Sequence, residues 1–322
     1  MAASRNKQSL DLLSRVDAFL AKRVISGSRL CVGLSGGCDS VVLLHLLAKG
    51  RFAAQLSAIH VHHGLSPNAD TWRAHCVAYC REMGVPLGVS HVDVDRAGRE
   101  GLEAAARRAR YAAFADNGAD VLLLAQHRGD QAETLLFNLL RGAGVVGAAA
   151  IPVEREFRGM RVLRPLLSVS RAEIEAYARE QGLSWVNDES NGDISFSRNF
   201  LRHEILPTLA DRFSGAESGL AQAAENFAEA LILLDDLAIQ DWASIAIGND
   251  AQMKLLRHLS AERIKNMLRY RLRLLGWRTP DAPRLAEFVR QLLQAGPDRH
   301  PALILPDGEM RVAQGRLIWI AK

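Results

Sequence analysis

The sequence predicts an α/β protein: a doubly wound parallel sheet, followed by a helical linker and a small C-terminal α+β domain. Three observations lead to this fold class. Up to about residue 210, short apolar runs alternate with stretches of helical periodicity. The composition then changes at residues 211–219, which are rich in Ser and Gly. Near the C-terminus, apolar and polar residues alternate around Asp307 and Gly308, a pattern typical of a β-hairpin.

The predicted elements of the first domain follow the order strand, helix, strand, helix. Apolar runs predict strands at residues 30–34, 56–61, 87–92 and 121–125. Helical periodicity predicts helices near residues 41–49, 70–83, 103–117 and 131–141. This alternation is typical of a parallel sheet covered by helices on both faces. Ligands of such sheets bind beyond the carboxyl ends of the strands, so the residues that follow each run form the candidate site.

Length and composition restrict the class of protein. The chain has 322 residues, of which 48% are hydrophobic and 24% charged, which suits two globular domains of ordinary composition. No run of roughly 18 apolar residues occurs, and the chain starts with an amphipathic helix pattern that lacks an apolar core. We therefore expect a cytoplasmic protein that does not enter a membrane.

Composition also predicts where the domains meet. We predict a first domain over residues 1–213, a helical linker over 214–248 and a second domain over 249–322. Residues 216–241 contain acids and no base, with apolar residues at helical spacing. This pattern favours a connecting helix whose polar face repels anions.

The second predicted domain begins with a strongly basic segment. The net charge of the chain is +4 and its pI is about 9.0, but residues 254–278 carry eight Lys or Arg and a single acid, Glu262. A helix with Tyr270 and Trp277 among its arginines could neutralise nucleic acid phosphates. A solvated helix face explains the same charges. Charge alone leaves both interpretations open.

A glycine-rich turn follows the first predicted strand. Ser35, Gly36, Gly37, Cys38, Asp39 and Ser40 lead directly into a helix. Glycines let the backbone approach a ligand, a helix N-terminus offers free N–H groups, and hydroxyls bond phosphate oxygens. The lysine of the common phosphate loop is absent, and Asp39 stands before Ser40 instead. We expect a pyrophosphate held by N–H groups and hydroxyls, with a Mg²⁺ on Asp39. The alternative is a simple turn whose Asp39 and Ser40 cap the helix.

With these residues the first domain resembles the PP-loop ATP pyrophosphatases, of the adenine-nucleotide alpha-hydrolase type. Later stretches are similar to the tRNA(Ile)-lysidine synthetase family and fall in its order. They are HVHHGLS (60–66), LEAAARRARY (102–111), AQHRGDQAETLLFNLLRGAG (125–144), RPLL (164–167), WVNDESN (185–191) and FSRNFLRHEILP (196–207). The resemblance is specific through the first domain and weak over residues 250–322, which are similar to the tRNA-contacting domain of that family.

The resemblance implies an ATP-dependent ligase. Its members join the ε-amine of lysine to C2 of the wobble cytidine of tRNA(Ile) with a CAU anticodon. Because cytosine O2 is a poor leaving group, it is first adenylated with release of pyrophosphate, and AMP then leaves as the amine attacks. The expected ligands are ATP, Mg²⁺, L-lysine and the tRNA. The oligomeric state stays open, a homodimer being one alternative.

Asp130 and Glu133 begin the helix after the fourth predicted strand, three residues apart and so on one face. The resemblance implies that they bind the ammonium groups of lysine or a metal. Helix capping is the structural alternative, because acids are favoured in a first turn. The family usually has two adjacent aspartates here, and Gly129 replaces the first, which puts a metal role that needs both carboxylates in doubt.

Two further residues are carried over from the family pattern. The resemblance implies that His63 borders the nucleotide, whereas its neighbours offer little support for a zinc site. Arg107 matches an arginine that faces the triphosphate or the tRNA backbone, and we include it among the catalytic candidates. An ion pair with Glu103, four residues earlier on the helix, is the structural alternative.

Two other functions use a similar loop. A tRNA cytidine thiolase would need catalytic cysteines, usually in a C-x-x-C motif, but the four cysteines here have no such spacing. They are Cys31, Cys38, Cys76 and Cys80, and the pattern favours packed free thiols. A sensor that binds ATP without catalysis is the second alternative.

Overall fold

The structure, a computed structural model, describes residues 2–94, 102–296 and 299–322. The chain divides into two compact units, Met1–Asn226 and Phe227–Lys322. The division falls inside one long helix, within the segment for which the sequence predicts a linker. In the described part of the chain, no helix is both long and apolar enough to cross a membrane.

The first unit is built on a six-stranded sheet. Its strands are β1 Leu30–Gly33, β2 Leu56–His62, β3 Leu87–His91, β4 Val121–Leu123, β5 Glu154–Phe157 and β6 Met160–Leu163. Their spatial order is β3-β2-β1-β4-β6-β5, and all neighbours are parallel except β5 and β6. The predicted parallel sheet is therefore confirmed. The chain runs outward from β1 to β3 and returns to β4, so the strand order reverses between β1 and β4.

Helices cover both faces of this sheet. The helices of this unit are α1 Ala2–Ala21, α2 Cys38–Lys49, α3 Ala69–Met83, α4 Leu102–Ala115, α5 Arg128–Leu140, α6 Val145–Ala148, α7 Arg171–Glu180, α8 Ser197–Phe200 and α9 Leu206–Arg212, and the long helix α10 Ala216–Ile245 begins in it and continues into the second unit. One core contains residues of α1, α2, α3 and α7, and a second core lies under α4. Helix α2 is buried over most of its length, which explains its unbroken apolar run Val41–Leu44.

The sequence prediction missed the antiparallel pair β5 and β6. Its turn is Arg158 and Gly159, both with positive φ (51° and 77°), which is the conformation of a tight hairpin turn. Strand β5 alternates Glu, Arg, Glu and Phe at the edge of the sheet. Charged edge strands lack the apolar run by which the other strands were recognised.

The second unit holds a five-stranded antiparallel sheet with helices. The strands are β7 Ala246–Ile247, β8 Asp250–Gln252, β9 Ala302–Leu305, β10 Gly308–Ala313 and β11 Arg316–Ala321, in the order β7-β8-β11-β10-β9. Its further helices are α11 Met253–Leu256, α12 Ala261–Leu274 and α13 Ala282–Gln294. The predicted hairpin around Asp307 and Gly308 is confirmed, since β9 pairs with β10 in antiparallel register.

Candidate active site

The glycine turn after β1 has a backbone that only glycine accommodates easily. Gly36 has φ +90°, and a Cβ there would lie 2.9 Å from Val186 Cγ2 and 3.1 Å from Cys76 Sγ. Its carbonyl accepts a hydrogen bond from the Val186 N–H at 3.0 Å. Gly37, by contrast, has an ordinary φ, and a Cβ there would contact only Ser35 Oγ at 3.5 Å. The space above Gly37 is therefore free for a ligand.

Two serine hydroxyls hold the turn in shape. Ser40 Oγ donates to the Gly37 carbonyl at 2.9 Å and accepts from the Ser35 N–H at 3.2 Å. Ser35 Oγ lies 3.0 Å from Ser40 Oγ and accepts from the Gly37 N–H at 3.3 Å. The N-cap of α2 is Gly37, which has no side chain with which to cap the helix. The first N–H groups of α2 are thus placed to meet an anion.

Cys38 turns its thiol away from the turn. Its side chain is only 3% exposed and belongs to the core packed around α2. Burial raises the pKa of this thiol to about 11. Any contact of Cys38 with a phosphate must therefore come from its backbone. The other three cysteines are also buried and free, and burial raises their pKa values to about 11 or 12.

Asp39 is held by an arginine from a distant helix. Arg171 Nη1 donates to both carboxylate oxygens of Asp39, at 2.8 and 2.7 Å, across 132 residues of sequence. The Asp39 side chain is 26% exposed. Burial raises its pKa, while His127 and Arg171 act in the opposite direction. The hydrogen bonds of Asp39 run to Arg171 and not to the first turn of α2. The structure therefore does not show the alternative interpretation, in which Asp39 caps the helix.

His127 connects the turn to the N-terminus of α5. Its Nδ1 accepts from the Gly129 N–H at 3.0 Å, and Asp130 Oδ2 accepts from the His127 N–H at 2.9 Å, so the two residues cap the helix reciprocally. The other ring nitrogen, Nε2, lies 4.0 Å from Asp39 Oδ2 and 3.8 Å from Asp130 Oδ2. Asp130 thus takes part in the cap from the third position of the helix, while His127 and not Asp130 is the N-cap. The same carboxylate also faces the site.

Gly129, the departure from the family pattern, is explained by this histidine. A Cβ at position 129 would lie 2.8 Å from His127 Cε1 and 3.1 Å from its Nδ1. The imidazole therefore occupies the space that a side chain at 129 would need. Sequence reasoning did not single out His127, because its role depends on a ring orientation set by the cap.

Glu133 is a buried carboxylate with a complete set of partners. The residue is 2% exposed, and Arg202 donates to it twice, from Nε at 2.6 Å and from Nη2 at 2.9 Å. Arg202 Nη2 also reaches Asp130 Oδ1 at 3.2 Å. Burial raises the pKa of Glu133, and the guanidinium opposes that shift. Asp130 and Glu133 therefore form one anionic pocket that already attracts a planar cation.

His63 lies just past the end of β2. Burial, and next Arg110, lowers the pKa of His63 to about 4, so the ring is neutral near pH 7. Its Nδ1 is buried and makes no hydrogen bond to the described residues. An open pocket beside the ring is lined by residues 63–65 and 91–94. Across residues 2–94, 102–296 and 299–322, no three His, Cys, Asp or Glu side chains are grouped to hold a metal ion.

Arg107 lies on α4, with its guanidinium carbon 5.0 Å from the centre of the Tyr111 ring. The residue is exposed. The side chain of Glu103, its predicted partner, lies outside the described residues. The ligand contact of Arg107 therefore stays a prediction, and the ion pair with Glu103 stays its alternative.

A polar segment after β6 is anchored near the glycine turn. Besides the bond from Val186 to Gly36, Glu189 Oε1 accepts from Ser66 Oγ at 2.9 Å and from Asn68 Nδ2 at 3.0 Å. Ser66 and Asn68 follow β2. The segment therefore spans from the end of β1 to the end of β2.

In the second unit, two arginines of the basic segment pair with acids of the long helix α10. Arg263 binds Asp241, Arg273 binds Asp235, and both acids lie on α10. Arg271 packs with its guanidinium carbon 3.9 Å from the Trp242 ring. The segment is also interrupted, since α11 ends at Leu256 and α12 begins at Ala261. The acidic face of α10 thus serves as a partner for arginines, which the sequence prediction did not foresee.

Comparison with known proteins identifies the family. Residues 9–209 match the PP-loop domain, and residues 252–318 match the TilS substrate binding domain. The tRNA(Ile)-lysidine synthase of Pseudomonas fluorescens (strain Pf0-1) is 45% identical over 326 aligned residues, which cover 97% of this chain and 73% of that protein. The chain belongs to the tRNA(Ile)-lysidine synthase family. Its counterpart in Pseudomonas aeruginosa is 48% identical over 90% of this chain and 68% of its own length.

A solved structure supports the fold of this lysidine synthase family member. The U34-tRNA thiolase NcsA from Methanococcus maripaludis aligns with a TM-score of 0.59 at 18% identity. The alignment covers 70% of this chain and 80% of the thiolase chain. At this identity the likeness concerns the fold alone. The buried cysteines with raised pKa values lend no support to thiolase chemistry here.

Proposed function

We propose that this chain joins lysine to C2 of the wobble cytidine of tRNA(Ile) with a CAU anticodon, in two steps. ATP first adenylates cytosine O2 and pyrophosphate is released. The lysine ε-amine then attacks C2 and AMP leaves. The observation that carries the proposal is the match to lysidine synthases across both units, which makes the chain an ATP-dependent ligase.

The glycine turn supports the first step. Residues 35–40 present the N–H groups at the start of α2 and the Ser35 hydroxyl to an incoming phosphate. Mg²⁺ commonly binds ATP sites through one or two carboxylates, with phosphates and water as its other ligands. Asp39, partly exposed at the turn, fits such a site as its single protein carboxylate. The ion would neutralise phosphate charge there, and Asp39 would exchange its bond to Arg171 for the metal.

The pocket of Asp130 and Glu133 supports the second step. The pair binds the Arg202 guanidinium, so it has the charge and the geometry to hold an ammonium group of lysine. Glu133 is too deeply buried to bind an ion that keeps several waters, which favours lysine over a metal. His127 Nε2 lies between this pocket and Asp39, so lysine and nucleotide would bind side by side.

The remaining assignments concern recognition. Neutral His63, with its unpartnered Nδ1, would accept a hydrogen bond from the nucleotide, and Arg107 would contact a phosphate. The second unit would bind the tRNA through basic residues other than those paired with α10. We also place the enzyme in the cytoplasm, with the tRNA on which it acts.

The test is transfer of labelled lysine into acid-precipitable tRNA(Ile) transcript with a CAU anticodon, in the presence of ATP and Mg²⁺. The matched control is the same transcript with its wobble C changed to U. We expect label only with C and ATP, with one AMP formed per lysine transferred. Label in the U transcript, or transfer without AMP, would contradict the proposed chemistry.

The same assay separates the alternatives. A sensor without catalysis would bind ATP and form no AMP with any transcript. A thiolase would form AMP but transfer sulfur from a donor, and its activity would depend on a cysteine. The thiolase result is not expected, since all four thiols are buried. The sensor result is not expected, since the chain belongs to a family of ATP-dependent ligases.

A further inference from the structure

Arg164 is the largest of the fully buried side chains that the structure describes. It follows β6, is 2% exposed, and donates to two neutral acceptors, Gln126 Oε1 at 2.9 Å and the Pro152 carbonyl at 2.6 Å. Among the described residues no carboxylate pairs with it. A buried cation without an anion is costly, because desolvation is not repaid by an ion pair.

Two more guanidinium groups lie close by, around Tyr111. The Arg155 guanidinium carbon is 4.4 Å from the centre of the Tyr111 ring, and that of Arg107 is 5.0 Å from the same centre. Arg155 Nε is buried and makes no hydrogen bond within the described part of the chain. Burial is the first cause of the lowered pKa of Arg164. Tyr111 opposes this shift, and the charges of Arg155 and Arg107 add to it.

Two other arginines near these strands are paired with carboxylates. Arg161 on β6 binds Glu154 on β5 at 2.7 Å, and Arg29 before β1 binds Asp120 at 2.9 Å. No described carboxylate pairs with Arg155 or Arg164, and none pairs with Arg107, for which the side chain of Glu103 lies outside the described residues. Three like charges around one aromatic ring repel each other unless an anion joins them.

We propose that Arg107 and Arg155, backed by buried Arg164, bind a phosphate of the RNA backbone. The site rests on the proposed function, since it requires that the substrate is an RNA. Arg107 and Arg155 would contact the phosphate, because Arg107 is exposed and Arg155 half-buried. Buried Arg164 would not contact the phosphate. It would hold Gln126 and the loop at Pro152 in place through its hydrogen bonds, and its charge would add positive potential to the site.

The position of β5 favours RNA over ATP as the source of this phosphate. Arg155 lies on β5, the edge strand, and β6 and β4 separate it from β1, which leads into the glycine turn. Neighbouring strands are about 4.8 Å apart, so β5 lies roughly 14 Å from β1. A phosphate held at the turn is therefore out of reach of Arg155. Arg155 pairs with Val162 near the carboxyl end of β6, so the site lies along the same edge as the reaction centre.

The test is the affinity of the tRNA transcript, measured without ATP over a series of salt concentrations. Arg155→Ala is compared with Arg155→Lys, with Arg107→Ala and with Arg158→Ala. Arg158 is the matched control, because it lies in the same hairpin, is exposed and packs on the Phe157 ring. The dissociation constant of ATP is measured in parallel without tRNA, and thermal unfolding monitors the fold.

We expect Arg155→Ala and Arg107→Ala each to weaken tRNA binding several-fold. Each should reduce the slope of log K against log salt by about 0.7 to 0.9, the value for one phosphate contact. Arg155→Lys should keep most of the slope, and neither substitution of Arg155 should change the ATP affinity. If Arg155→Ala proves unstable, Arg107→Ala and Arg155→Lys carry the test.

Two results would overturn the proposal. One is that tRNA binding by Arg155→Ala and Arg107→Ala depends on salt in the same way as that of Arg158→Ala. The three arginines would then stabilise the fold without binding RNA. The other is a loss of ATP affinity with tRNA binding unchanged, which would give the site to the nucleotide. Lysine transfer by the unmodified enzyme is measured alongside. If the enzyme transfers no lysine but its tRNA binding still depends on Arg155, the proposed phosphate site stands and the proposed reaction is wrong.

Discussion

Arginine–carboxylate pairs occur in both units, but they serve different ends. In the first unit, Arg171 and Arg202 reach carboxylates that are 132 and 69 residues away in sequence and lie at the carboxyl edge of the parallel sheet. In the second unit, Arg263 pairs with Asp241, whose side chain is fully buried, on a helix of the same unit. We infer that position at the strand ends, and not charge density, marks the proposed chemical site.

The largest expected effect is at the glycine turn. Asp39→Ala should reduce pyrophosphate release roughly 10²- to 10³-fold, because the carboxylate that would hold Mg²⁺ at the reacting phosphates is lost. Pyrophosphate is measured with tRNA and ATP present, and the fold is checked by thermal unfolding. Asp70→Ala is the control, since Asp70 lies on α3 and is 78% exposed. Retained turnover in Asp39→Ala would remove this residue from the mechanism.

The next effect concerns the buried pair. Arg202→Ala leaves Glu133 buried without a cation, which should cost roughly 2 to 3 kcal/mol of stability. Breaking a fully buried ion pair costs roughly 3 to 5 kcal/mol. We expect a cost at the lower end of that range or below it, because the Arg202 side chain is 36% exposed. Removing both partners, Arg202→Ala with Glu133→Ala, should recover part of the loss. If the double variant lost as much unfolding free energy as the two single variants together, Arg202 and Glu133 would not stabilise each other directly.

Acid should destabilise the first unit through His63. The folded pKa is about 4 and the ordinary value is 6.5, so between these pH values the unfolded chain binds more protons. Stability therefore falls as the pH drops from about 6.5 to 4, by roughly 2 kcal/mol at pH 5. His63→Gln should flatten this part of a denaturation series, whereas the exposed His258→Gln in the second unit should not.

Within α12, two arginines that look alike in sequence should behave differently. Arg271→Ala should lower the unfolding free energy by about 1 to 2 kcal/mol, because Arg271 packs on Trp242 and lies 5.6 Å from the centre of the Trp319 ring. Arg269→Ala should change it by less than about 0.5 kcal/mol. Equal effects of the two substitutions would mean that the tryptophan contacts add nothing.

The smallest expected effect is on tRNA affinity. Arg269 and Lys254 are bases of the second unit that form no ion pair with any described residue. Changing both to Ala should weaken tRNA binding a few-fold and lower the salt slope by up to about 1.4 to 1.8, for two phosphate contacts. Arg271 and Arg273 are left unchanged, because their loss would disturb the packing on Trp242 and the bond to Asp235. Binding that is unchanged across salt would exclude this surface.

The sequence predicted the parallel sheet because each of its core strands carries its own apolar run, and the helices their own periodicity. The turn of residues 35–40 was equally readable, since its glycines and serines are contiguous. These features are local, and a local pattern suffices to identify them. The hairpin of β5 and β6 was missed because its charged edge strand has no apolar run.

The partners in the site could not be predicted for a different reason. The bonds of Arg171 to Asp39 and of Arg202 to Glu133 depend on which helices meet at the sheet edge, and no periodicity encodes that meeting. His127 was missed because its role follows from the cap it forms with Asp130. Likewise, the basic segment 254–278 suggested a continuous cationic surface, because the sequence does not show that α10 supplies acids to its arginines.

The most direct measurement separates the two half-reactions. Pyrophosphate release with tRNA and ATP but without lysine, and then lysine transfer, are followed in Asp39→Ala and in Glu133→Gln. We predict that Glu133→Gln still releases pyrophosphate but transfers little lysine, whereas Asp39→Ala does neither. Thermal unfolding of both variants excludes loss of fold as the cause. We propose that the glycine turn serves adenylation and that the carboxylate pocket binds lysine. This assignment would be contradicted if Glu133→Gln released no pyrophosphate, or if it transferred lysine at the unmodified rate.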